Sequence, residues 1–218
     1  MKFLLTSAGL TSDALIHALE KLAGKSFSEM TILYIPTAGN TSVDDENWLV
    51  DNLLAFRNRG CKKVAMLDIA IPKELWAKHV APADVICVGG GNEKYLARVM
   101  EEQGFREFIV PLLSDKVYMG ISAGSMVAGH FLKGGLTNEL FPEEDYGEEG
   151  GEPMGILDII FIPHMNSAWF KKVRPEFLSS LKEKFDRDTY ATDDETALAI
   201  DGDHVEIIGT GESWISRV

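Results

Sequence analysis

The chain has 218 residues, 45% hydrophobic and 25% charged, values that exclude disordered and fibrous architectures. Its 34 acidic residues outnumber the 21 basic ones and leave a formal charge of −13, which argues against nucleic-acid or anionic-membrane binding, since both need a basic face. The two cysteines, Cys61 and Cys87, form neither a CxxC pair nor a zinc spacing, so a reduced compartment is expected. The opening Met1–Gly9 holds too short an apolar run for a signal peptide, and no run approaches the roughly 18 apolar residues of a membrane span. A soluble, cytoplasmic protein is the expectation.

Along the chain, short apolar runs alternate with helical patterns. Phe3–Leu5 reads as a strand, Asp13–Leu22 as a helix between a Ser12 cap and Gly24, and Thr31–Ile35 as a strand closed by Pro36. Asp45–Arg59 has helical spacing, with Leu49, Leu53 and Phe56 on one face, and Val64–Ile69 is a strand. The strand Asp84–Val88 runs into Gly89-Gly90-Gly91-Asn92, followed by helices over Glu93–Glu102 and Phe105–Leu113. Val117–Ile121 is a strand ending at Ser122. Strands apolar throughout, separated by helices, predict a mostly parallel sheet covered on both faces, with ligands gathered at its carboxyl edge.

Glu143–Glu149 is an acidic loop, and a lid over the site is one role for it. Ile156–Ile162 is another apolar strand, leading into Pro163-His164, and Pro175–Phe185 is a helix. The tail reads as hairpins over Ala197–Ile200, Val205–Ile208 and Trp214–Val218. With no linker, repeat or low-complexity tract, residues 1–218 are expected to form one domain.

The segment Gly120-Ile121-Ser122-Ala123-Gly124 matches G-x-S-x-G between an apolar strand and a helical run, the context of a nucleophile elbow. A sharp turn lifts the serine hydroxyl off the sheet, glycines on either side remove clashes, and the Ala123 N–H opens a helix where it can face an oxyanion. A tight turn with a capping serine is the plainer explanation of the pattern alone. The Gly89–Asn92 turn matches no dinucleotide or phosphate-loop fingerprint. Beside an elbow it offers a second donor, for which Gly90 N–H is the choice.

A serine nucleophile needs a base. Of His17, His79, His130, His164 and His204, only His164 ends an apolar strand at the edge where parallel sheets place function. His204 lies beside a hairpin turn, and His130 sits about two helical turns beyond Ser122.

Val88-Gly89-Gly90-Gly91-Asn92, Gly120-Ile121-Ser122-Ala123-Gly124-Ser125 and Pro163-His164 together resemble the aspartyl dipeptidase (peptidase E) family and its relative cyanophycinase. Ile35-Pro36-Thr37-Ala38 and the strand order extend the resemblance over most of the chain. It implies a three-layer, doubly wound α/β fold like the class I glutamine amidotransferases (flavodoxin-like), with serine in place of cysteine as nucleophile. It implies hydrolysis of short peptides, typically dipeptides with N-terminal aspartate, by a Ser–His–acid triad without a metal or other cofactor.

Carried over by position, Ser122 is the nucleophile, His164 the base, and the Gly90 and Ala123 N–H groups the oxyanion hole. The acid falls at Glu139 in Asn138-Glu139, a departure from the family's aspartate, with Asp145 in reserve. Asn92 and Arg174 are the substrate-binding candidates, although the arginine stretch of the family is not reproduced and Lys171 and Lys172 compete with Arg174. Asp194–Leu198 is similar to cyanophycinase, and a segment leading into a strand explains it equally well. The expected partner is a small peptide, with no nucleic acid or membrane, and the protein itself a monomer or homodimer. Two other readings are an α/β-hydrolase-type esterase, with Asp193 or Asp194 and His204 completing the site, and a non-catalytic small-molecule binding module.

Overall fold

The apolar runs at 3–5, 32–35, 85–88 and 117–121 are strands with both faces buried, while the run from residue 63 forms an edge strand with exposed ends. The computed structural model describes residues 1–42, 46–144 and 150–218. In chain order the elements are β1 (Lys2–Thr6), α1 (Asp13–Ala23), β2 (Thr31–Ile35), α2 (Asn47–Asn58), β3 (Lys63–Met66), α3 (Lys73–Val80), β4 (Val85–Val88), α4 (Glu93–Glu102) and α5 (Phe105–Ile109). They continue with β5 (Val117–Ile121), α6 (Ala123–Met126), α7 (Leu136–Leu140), β6 (Ile160–Ile162), α8 (Pro175–Leu181), β7 (Thr189–Thr192), β8 (Thr196–Asp201), β9 (His204–Gly209) and β10 (Ser213–Ser216).

Seven strands form a sheet in the order β3-β2-β4-β5-β1-β8-β9. The first five are parallel, β8 runs antiparallel to β1, and β9 antiparallel to β8. Side chains alternate across the sheet. Phe3 and Leu5 join Leu33, Ile35, Ile86 and Val88 in a core with Trp76, Leu96 and Phe105. On the other face Leu4, Ile32, Tyr34 and Cys87 pack with Leu15, Leu19 and Phe56. This is the mostly parallel, two-sided sheet that the strand and helix pattern predicts, with the β8–β9 hairpin added at one edge.

A second sheet, in the order β10-β7-β6, was not anticipated. In it β6 and β7 are parallel and β10 is antiparallel to β7. Its own core gathers Ile160, Ile162, Leu178, Leu181 and Phe185. The expected strand over 156–162 shrinks to Ile160–Ile162. The donors ahead of it are spent elsewhere: Ile156 and Leu157 N–H both donate to Ala128 C=O at 3.0 Å. The expected helix over 105–113 breaks into α5 and a 3-10 turn at Val110–Ser114, because Pro111 has no N–H to continue the ladder. Helix α3 carries His79 in its last turn. The start expected for α2, Asp45, and the acidic loop from residue 145 onward, including the reserve acid Asp145, lie outside the described residues. Among the described residues no helix is long and apolar enough to cross a membrane.

Leu4 is fully buried between the sheet and α1. Leu4→Ala is expected to cost about 2–5 kcal/mol by lost burial and a residual cavity. Urea unfolding should show a lower midpoint with an unchanged slope.

Candidate active site

Three adjacent parallel strands, β4, β5 and β1, deliver Gly89–Gly91, Ser122 and Thr6–Ser7 to the same carboxyl edge. Ser122 leaves β5 with φ 50° and ψ −114° and turns directly into α6. A non-glycine residue held at positive φ costs about 1–3 kcal/mol and persists only where its surroundings impose it. Here they do. Ser122 N–H donates to Thr6 C=O at 3.0 Å, and Ser122 C=O accepts from Ser125 N–H at 2.8 Å. Buried Ser125 closes the turn: its hydroxyl donates to Thr6 C=O at 2.8 Å and accepts from Thr6 N–H at 3.0 Å. The flanking glycines are needed for space. A Cβ on Gly120 would lie 2.6 Å from Ser125 backbone atoms, and one on Gly124 would lie 2.0 Å from Val88 C=O.

His164 follows β6, and its imidazole reaches back across the gap between the sheets. Its Nε2 lies 3.0 Å from Ser122 Oγ, and its Nδ1 lies 2.6 Å from Asp194 Oδ1. An ionised carboxylate only accepts, so Nδ1 carries the proton given to Asp194 and the Nε2 lone pair faces the serine hydroxyl. Among the described residues the non-glycines at positive φ are Ser122, His164 (62°) and Asn166 (64°). All three belong to this site or the loop beside it. Phe170 covers one side of the imidazole, with ring centroids 4.9 Å apart.

The carboxylate on His164 is therefore Asp194, at the end of β7, and not Glu139. Glu139 is exposed on α7, where it makes no bond to His164. The pairing of Asp193 or Asp194 with His204 fails as well. His204 begins the exposed strand β9, and the Asp193 carboxylate accepts from the Glu195 and Glu212 N–H groups at 3.1 and 2.5 Å. His17 and His79 are exposed on their helices.

Gly90 sits against Ser122: a Cβ there would lie 3.2 Å from Ser122 Cβ. Ala123 is the first residue of α6, where helical N–H groups have no partner within the helix. The two substrate candidates, Asn92 and Arg174, both make structural hydrogen bonds. Asn92 caps α4, its Oδ1 accepting from Tyr95 N–H at 2.9 Å. Arg174 donates to the carbonyls of Phe170, Val173 and Ser167 at 3.0, 2.9 and 2.7 Å, bracing the loop that carries Phe170. Lys171 and Lys172 are exposed. Next to Asn92, Glu93 is only 6% exposed, and burial raises its carboxyl pKa above the ordinary value. Among the described residues no group of three or more His, Cys, Asp or Glu is arranged to hold a metal ion.

Residues 3–208 match the profile of Peptidase family S51. The chain belongs to that family. It is a serine-type peptidase. Over 77% of its length it is 29% identical to an uncharacterized peptidase, YgaJ, of Bacillus subtilis strain 168, covering 67% of that protein. Over 59% of its length it is 33% identical to a peptidase E of Pasteurella multocida strain Pm70, covering 53% of that protein. Among solved structures, a candidate peptidase E from Listeria monocytogenes EGD-e superposes with a TM-score of 0.75 at 21% identity, covering 96% of this chain and 98% of that one. A peptidase from an acI-B1 Actinobacterium superposes with a TM-score of 0.68 at 21% identity, over 99% of this chain and 90% of that one. These superpositions carry the fold.

Two measurements check the local physics. Gly124→Ala drives a methyl into backbone, so it is expected to cost about 1–3 kcal/mol or more and to displace the Ser122 turn, read by denaturant unfolding. Glu93 has its folded pKa raised, so its neutral form is favoured in the fold. Its contribution is fully present below the unfolded pKa and is lost as pH rises through the folded one. Glu93→Gln should therefore gain in Tm relative to the parent between pH 4 and pH 8; an equal Tm difference at both values would contradict the burial argument.

Proposed function

We propose that this family S51 peptidase hydrolyses short peptides through an acyl-enzyme, using Ser122, His164 and Asp194 as a catalytic triad on a nucleophile elbow. The observation that carries the reading is the continuous chain from Ser122 Oγ to His164 Nε2 at 3.0 Å and from His164 Nδ1 to Asp194 Oδ1 at 2.6 Å. In this reading His164 Nε2 takes the Ser122 proton as Oγ attacks the peptide carbonyl. Asp194 holds the Nδ1–H tautomer and stabilises the imidazolium that forms. The Gly90 and Ala123 N–H groups receive the oxyanion, each worth roughly 3 kcal/mol in comparable sites. His164 Nε2 then returns its proton to the leaving amine. A water deprotonated by the same nitrogen attacks the acyl-enzyme and frees Ser122.

Dipeptides are the substrates we favour, N-terminal aspartate among them, on the strength of the resemblance to peptidase E. The three carbonyl bonds of Arg174 weaken its case as the aspartate anchor and favour a role as loop brace. A cytoplasmic setting accords with the two unpaired cysteines, Cys61 and Cys87.

Release of free amino acid from a dipeptide panel tests the reading. Ser122→Ala and His164→Ala are expected to lose about 10⁶ in kcat. Asp194→Asn is expected to lose about 10⁴, while Glu139→Gln and His204→Ala keep parental rates. Parental turnover by Asp194→Asn would remove Asp194 from the triad. Arg174→Ala should slow Asp-Xaa and Ala-Xaa dipeptides by the same factor; a loss confined to Asp-Xaa would restore it as the aspartate anchor.

A further inference from the structure

The three residues of the proposed triad come from far apart in the chain and from two different sheets. Ser122 leaves the large sheet, while His164 and Asp194 leave β6 and β7 of the small one. One short segment touches all three. At the end of β1, Thr6 C=O accepts the Ser122 N–H at 3.0 Å. Ser7 Oγ accepts the His164 N–H at 3.0 Å. Thr11 Oγ1 donates to the Asp194 C=O at 2.9 Å.

Ser7 is 1% exposed and its hydroxyl is fully used. Its one proton goes to Thr192 C=O at 2.9 Å, and its two lone pairs face His164 N–H and the Thr192 hydroxyl, the latter at 3.0 Å. Thr192 is itself buried and is the last residue of β7, two before Asp194. The same hydroxyl thus ties the base to the strand that carries the acid, and it holds His164 by the amide of a residue kept at φ 62°.

The loop is stiff enough to act as a reference. Thr6 Oγ1 donates to Gly120 C=O at 2.7 Å and accepts from Gly9 N–H at 3.1 Å. Gly9 has φ 85°, and a Cβ on it would meet Asn52 Oδ1 at 2.6 Å, so the turn is closed against α2. Arg59 of the same region donates to Thr11 C=O at 3.1 Å and pairs with Asp13 at 2.8 Å.

We propose that the loop over residues 6–11 sets the spacing of the Ser122–His164–Asp194 array, with Ser7 and Thr11 as positioning residues that act through the backbones of His164 and Asp194. The proposal rests on the triad reading above. Neither residue is asked to touch substrate. Removing the Ser7 hydroxyl leaves the His164 N–H without its acceptor and frees a strained backbone to relax. A displacement of about 1 Å in a catalytic group costs about 10²-fold in rate.

The test uses the full chain and diisopropyl fluorophosphate, which needs the Ser122–His164 pair and no peptide pocket. In Ser7→Ala and Thr11→Val, Ser122 is expected to be phosphorylated, with loss of fluoride from the reagent, about 10–100-fold more slowly than in the parent, with kcat on dipeptides falling in parallel and KM little changed. Thr11→Ser should restore the rate. Rates are taken per equivalent of enzyme that finally labels, so partial unfolding does not count as slowing. Parental rates in both variants, or no rescue by Thr11→Ser, would overturn the proposal. The downfield proton resonance of His164 Nδ1–H, identified by its loss in Asp194→Asn, gives a second readout without turnover. It is expected to move upfield in Ser7→Ala, and an unmoved resonance counts against the proposal. Should the parent chain itself fail to react with the reagent, the triad reading falls, and the resonance alone decides whether Ser7 positions His164.

Discussion

The carbonyl of Val88 lies so close to Cα of Gly124 that a methyl there would stand 2.0 Å from its oxygen. That approach lets α6 start directly above the ends of β4 and β5. It draws the Gly89–Gly91 turn against Ser122 and forces the serine into its positive-φ turn. A larger residue at 120 or 124 would push the helix off the sheet edge and separate the backbone donors from the hydroxyl they flank. The approach of Gly90 to Ser122 and the positive-φ turn of the serine are thus two results of one steric condition.

The second condition is the coupling of two sheets. The large sheet follows the ordinary logic of parallel strands, with function at their carboxyl ends. The small sheet repeats that logic: β6 and β7 are parallel, and their ends carry His164 and Asp194. Because the two strands are neighbours in register, from Ile160–Thr189 to Ile162–Ala191, His164 and Asp194 emerge side by side. The bond between them is a consequence of strand pairing, and contact with Ser122 then requires only that the small sheet sit against the end of β1.

What the sequence revealed tracks how local each signal is. The Ser122 turn was readable because its glycines, its preceding strand and its following helix lie within ten residues. His164 was readable because it closes an apolar strand. The partner of His164 was not. Asp194 follows β7, a four-residue strand with threonine at both ends whose identity comes from pairing with β6 and β10 and not from its own pattern. Placing the acid by its position between nucleophile and base instead selected Glu139, which α7 holds on the surface. Arg174 and Asn92 show a different limit. Their polar groups suit a ligand, but backbone carbonyls and a helix N-terminus claimed them, and neither neighbour is visible without the fold.

The position of β1 between β5 and β8 bears on how the protein comes into being. Thr6 meets Ser125 across 119 residues of chain, Ser7 meets His164 across 157, and Thr11 meets Asp194 across 183. Contacts at such separations close late, after the entropy of long loops has been lost. During synthesis, β1 must wait unpaired on one side until β8 emerges. A chain that has already made its serine turn still lacks His164 and Asp194, so the proposed Ser122–His164–Asp194 array assembles only after β6 and β7 have formed beside it.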